Sequence, residues 1–166
     1  MKFSKNLKFA TIFRNKETNS DLEKNFSKAF ILNKTIFKRQ IKKFKIIICD
    51  TEEEFKKQSK YYYQKWSTAT VLRDRALVTR SPEFAKRKFQ TDFNDFQKLM
   101  RHEIMHVFWQ DLYNCTKPVW LDEGLACHIG DYFVLDEKEL KELVSKYKIN
   151  SSILDYRYLK RKFDKG

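Results

Sequence analysis

His102-Glu103-Ile104-Met105-His106 sets two imidazoles four residues apart with a carboxylate beside the first, and Glu123 follows the second histidine by seventeen residues. On a helix, positions i and i+4 share a face, offset by about 40° around the axis and ~6 Å along it. Two imidazoles so placed can meet one ion. Zinc suits imidazole nitrogen and carboxylate oxygen, and a catalytic site uses three protein ligands with a fourth position open for water. Glu103 sits one position along, too displaced to be the same kind of ligand but placed to reach that water. This is the general-base role that the HExxH spacing provides.

A bare HExxH also arises as an exposed amphipathic turn. Here Leu99, Met100, Ile104, Met105, Val107, Phe108, Trp109 and Leu112 cover nearly every direction around the helix, so it should be buried. Buried, unpaired imidazoles and carboxylates are costly, and a metal with its water satisfies all three. Glu123 lies in Val119-Trp120-Leu121-Asp122-Glu123-Gly124-Leu125-Ala126. Its helical arc carries Ala126, Cys127 and Gly130, small residues that let two helices approach closely, and Gly124 leaves room beside the ion. The other reading is that Asp122-Glu123 caps the helix after Pro118, since acids are favoured in a first turn. The ligand reading is preferred.

Several elements must hold these residues. Residues 1–19 read as polar and irregular, with a short strand at Leu7–Phe13. Ser20 or Asp21 caps a helix whose apolar positions are Leu22, Phe26, Phe30, Phe37, Ile41 and Phe44. Phe44–Cys49 reads as a buried strand, and Asp50 or Thr51 before three glutamates reads as a helix start. Tyr61–Tyr63 opens an aromatic loop. Thr68–Leu72 and Arg75–Thr79 are expected as two strands joined at Arg73-Asp74, after which Pro82 breaks the pattern. A long helix is expected from near Asp92 to Tyr113, and a second apolar one from Val119 to Val134. Amphipathic helices at 136–147 and 151–163 would close the chain.

The 166 residues suit one domain, with a helix-and-sheet part over about 1–90 and a helical part bearing the site over about 91–166. Three glycines and two prolines argue against a turn-rich all-β fold. The net charge of +13 suits either attraction to nucleic acid, anionic membranes or acidic substrates, or a lysine-rich bias spread over solvated faces; the latter is preferred. Cys49, Cys115 and Cys127 form no CxxC pair and fit buried thiols in a reducing compartment. The charged N-terminus and the lack of a long apolar run lead to the expectation of a cytoplasmic, monomeric protein with no membrane span.

HExxH followed by Trp120-Leu121-Asp122-Glu123-Gly124-Leu125-Ala126 resembles the gluzincin peptidases, the thermolysin-like and aminopeptidase-like clan whose third ligand is a glutamate on the next helix. The likeness is strong over about Leu99–Gly130, and the short chain looks like the minimal members called minigluzincins. The resemblance implies an α+β, zincin-like domain: a small mixed sheet with a backing helix, an active-site helix, a glutamate helix and a helical C-terminus. It implies one Zn2+ per chain held by His102, His106 and Glu123, with Glu103 as base and proton shuttle in peptide-bond hydrolysis through a zinc-bound water. The substrate would be a peptide or protein, and Thr68–Leu72 could offer a strand edge to it.

Some features depart from the clan. The G-x-M-E-N segment with which aminopeptidases hold a free amine is missing, which favours endopeptidase action. Where thermolysin-like enzymes place an aspartate to orient a histidine, this chain has Cys127, leaving Asp131 as a candidate partner. Tyr147, Tyr156 and Tyr158 are candidates for stabilising the oxyanion. A second reading is a SprT-like, DNA-associated protease with His128 as third ligand, for which the basic charge counts but no zinc ribbon follows. A third is a non-catalytic, zinc-stabilised module binding protein or nucleic acid. The basic tail at 156–166 could also fold into the cleft and hold the enzyme latent, or simply close the core. Cys127 could act as a switch, although a small buried thiol is the preferred reading.

Overall fold

The strand Phe44–Cys49 (β3) shows how the sheet is built. Successive side chains of a strand point to opposite faces. Phe44, Ile46 and Ile48 accordingly lie in one apolar cluster, while Ile47 and Cys49 lie in another. The structure, a computed structural model, describes residues 1–114 and 119–131. Among these, five strands form one mixed sheet in the order β1-β2-β3-β5-β4, accompanied by five α-helices, so the fold is α+β.

Strands β1 (Phe3–Asn6) and β2 (Ala10–Arg14) form an antiparallel hairpin. β2 runs parallel to β3 through the crossover helix α1 (Ser20–Phe37), capped by Asn19, whose side chain accepts from the Leu22 N–H. After β3 comes α2 (Glu52–Ser59), with Thr51 as its cap, then a short 3-10 turn at Lys60–Tyr62. β4 (Ala69–Val71) forms the outer edge, antiparallel to β5 (Leu77–Arg80), which runs parallel to β3. Helix α3 (Pro82–Phe89) leads to α4 (Phe93–Tyr113) and then α5 (Val119–Gly130).

One face of the sheet packs on α1 and α4. Phe9 stacks on Phe30 with ring centroids 4.2 Å apart, and Phe108 of α4 contacts Phe30 at 5.3 Å and Phe37 at 5.6 Å. The other face buries Cys49 and Val78 under Phe55 of α2. Helix α4 therefore spans both the sheet core and the α5 contact. Phe96, Met100, Ile104 and Phe108 join the sheet core, whereas Met105 and Trp109 pack with Ala126 and Ile129 of α5. Arg75, in the turn between β4 and β5, pairs with Asp111 and ties that hairpin to the far end of α4.

Several sequence expectations need correction. The 1–19 region is a hairpin whose inner strand starts at Ala10, not Leu7. All four residues of β1 are exposed, so it has no apolar alternation to betray it. Helix α1 stops at Phe37 because Lys38 takes a left-handed backbone with φ of 50°; Ile41 is buried beyond the helix and Phe44 opens β3. Pro82 does break the strand pattern, but it also opens helix α3, which was not expected: its missing N–H costs nothing there, and the Ser81 hydroxyl accepts from the Phe84 N–H. Helix α5 runs Val119–Gly130, with Asp131 at φ of 58° after it; the rest of the expected span to Val134 lies outside the described residues. The expected helices at 136–147 and 151–163, the tyrosines at 147, 156 and 158, the 156–166 tail and Cys115 lie outside the described residues.

Candidate metal centre

Helix α4 begins at a defined place because the Asp92 carboxylate accepts from the Asp95 N–H at 2.8 Å. That cap and the packing of its apolar flanks fix the rotation of the helix, and with it the aim of His102 and His106. Their Nε2 atoms stand 3.2 Å apart. Glu123, on α5, brings its Oε2 to 3.8 Å from His102 Nε2 and 3.7 Å from His106 Nε2. These three ligand atoms thus converge as a potential metal-binding group. Tetrahedral donors at zinc bond lengths of 2.0–2.1 Å stand about 3.4 Å from one another, close to this triangle. The donor set, two imidazole nitrogens and one carboxylate oxygen, fits a divalent transition metal.

The orientation of His106 is held from behind. Its Nδ1–H donates to Asp122 Oδ1 at 2.7 Å, and the Asp122 side chain is buried. A carboxylate accepts this proton, so the opposite nitrogen, Nε2, carries the lone pair aimed at the triangle. Burial works against a charged His106. The Asp122 hydrogen bond, with Glu103, Asp122 and Glu123 nearby, outweighs it and raises the group to about 9.

Glu103 is buried, and burial raises its carboxyl to about 7; Glu123 and Asp122 add to the rise while His106 opposes it. A carboxyl poised near neutrality can both accept and return a proton. Around the triangle, Ala126 and Cys127 are buried, and among the described residues a Cβ placed on Gly124 would meet nothing within 4 Å.

No family model, curated protein or solved structure matches the chain.

The residues singled out from sequence for the metal, His102, His106 and Glu123, come together from two helices. His128 is exposed on α5 and is not in the group. Asp131 does not orient a histidine: its carboxylate lies 3.3 Å from Lys98 Nζ. Asp122 holds that role instead. From sequence Asp122 fits a helix cap equally well, and only its place immediately before Glu123 puts it on the correct turn. Among the described residues, no helix is long and apolar enough to cross a membrane.

Proposed function

We propose that this chain is a zinc-dependent peptidase resembling the gluzincins, with His102, His106 and Glu123 as ligands and Glu103 as general base. One observation carries the reading: three donor atoms from two helices lie 3.2–3.8 Å apart beside a buried carboxyl raised towards neutrality. A bound zinc would act as a Lewis acid on the scissile carbonyl and lower the pKa of water towards ~7. Glu103 takes the proton from the attacking water and returns it to the leaving amine. Asp122 keeps His106 in one tautomer throughout. Strand β4, at the edge of the sheet among the described residues, is the side to which an extended peptide could add.

With no G-x-M-E-N segment to hold a free amine, endopeptidase action is preferred over aminopeptidase action. The SprT-like alternative loses ground because His128 is exposed and lies outside the ligand group. The purified protein should carry about one zinc per chain, and Glu123→Ala should lose it. Glu103→Gln should keep the metal while peptide hydrolysis falls by ~100-fold or more. A chain that binds no zinc even after reconstitution would end the proposal. A chain that binds zinc but hydrolyses no peptide would leave a zinc-stabilised binding module.

A further inference from the structure

Between Glu54 and Asp74 the chain carries no acidic residue, yet it places Lys56, Lys57, Lys60, Lys65 and Arg73 at exposed positions. In the same stretch Tyr61 is fully exposed, Trp66 is 62% exposed and Tyr62 38%. Two of the three acids that open α2 are turned inward. Glu52 is bonded by Arg80, Lys88 and the Tyr63 hydroxyl, while Glu54 accepts from the Asp50 N–H and the Asn15 amide. They leave the outer surface of this segment basic.

The backbone presents the rings deliberately. Lys60 takes φ of 52° and ψ of −123°, a conformation seldom adopted by a residue with a side chain, and it turns the end of α2 into the short 3-10 turn that carries Tyr61. We infer that the Lys56–Trp66 segment is a docking surface for single-stranded nucleic acid, with Tyr61, Tyr62 and Trp66 stacking on bases and the lysines meeting phosphates. Flat rings interspersed with cations form the pattern that binds unpaired bases without sequence preference.

The composition favours this occupant over an anionic membrane. Among the exposed large apolar side chains of the described residues, those in this segment are all Tyr or Trp; none is Leu, Ile, Met or Phe. A helix that lies in a lipid interface sinks an exposed apolar face, whereas α2 buries Phe55 and turns Lys56 and Lys57 outward, so it has no such face to insert; base stacking needs only the ring faces beyond its end. The inference does not rest on the metal reading.

The test is fluorescence anisotropy of the full chain with a labelled oligothymidine of about 20 nucleotides, repeated across salt concentrations. Four neutralised phosphates predict a log–log salt slope of roughly −3. Tyr61→Ala/Trp66→Ala should weaken binding by about tenfold per ring, and Tyr61→Ala alone by about tenfold, with the melting temperature held. Lys57→Gln/Lys65→Gln should weaken binding more than the charge-matched Lys42→Gln/Lys43→Gln. No binding, loss equal in both lysine pairs, or ring variants that bind as tightly as the parent would overturn the inference. So would binding to phosphatidylserine vesicles that depends on these rings while oligothymidine binding does not.

Discussion

Asp122 and His106 are joined across two helices by a 2.7 Å hydrogen bond, and the next residue after Asp122 is the third member of the metal-binding group. One turn of α5 therefore supplies both a candidate ligand atom and the carboxylate hydrogen-bonded to a second candidate ligand. Removing such an outer partner costs metal affinity even though no ligand is lost. Asp122→Ala should weaken zinc binding by about 10–100-fold in chelator competition. Asp122→Asn, whose amide oxygen still accepts from Nδ1–H, should recover part of it. An Asp122→Ala variant with the parent's affinity would show that the bond does not set the aim of His106.

Metal binding should also be visible as stability. A ligand that binds only the folded chain at 100 times its Kd adds ~2.7 kcal/mol, a rise of roughly 5–11 °C in melting temperature for a domain of this size. Calorimetry with and without zinc should show that rise in the parent and not in Glu123→Ala. Equal melting in both conditions would speak against a site assembled from the folded helices.

Acid should expose a different network. Arg80 is fully buried, its guanidinium 4.0 Å from the Phe55 ring centroid and bonded to Glu52 at 2.8 Å. Burial of Glu52 would raise its carboxyl, but hydrogen bonds from Lys88, Tyr63 and Arg80 overcome this and hold it at about 2. A carboxyl depressed in the folded state gives stability that is complete above its ordinary value and is lost as pH falls towards the depressed one. The parent should lose that contribution between about pH 4.5 and pH 2. Glu52→Gln should be less stable at neutral pH and show a flatter decline over the same window. Parallel pH–stability curves for the two would refute the assignment.

The core that carries α4 is aromatic, and Phe108 touches both Phe30 and Phe37 across it. Phe108→Ala should cost about 3–5 kcal/mol in denaturant unfolding. Phe108 lies two residues after His106, so weaker zinc binding should accompany the loss. Unchanged metal affinity in a folded Phe108→Ala variant would show that the site tolerates a loosened helix.

Much of this was legible in the chain. The spacing of His102, His106 and Glu123 announced the group because helical periodicity leaves few ways to bring those atoms elsewhere. β3 and β5 were readable from their β-branched runs, and α4 from its length and its Asp92 cap. What was hidden lacked a local signature. Strand β1 buries nothing, so only pairing with β2 defines it. Ile41 prolonged the helical spacing of α1 although it packs from a loop. Asp122 was ambiguous because an acid in a helix's first turn serves the backbone equally well; only the nearness of α4 decides.

From Phe96 to Leu112 no residue of α4 is exposed. The helix packs against α1, the sheet and α5 and carries two histidines of the triangle, so its faces are buried or half-buried rather than open to solvent. Substitution along this stretch is thus answerable to partners on most sides. Over generations a surface that meets only water can be rewritten, and α4 would be the last part of the chain in which two distant descendants still spell the same words.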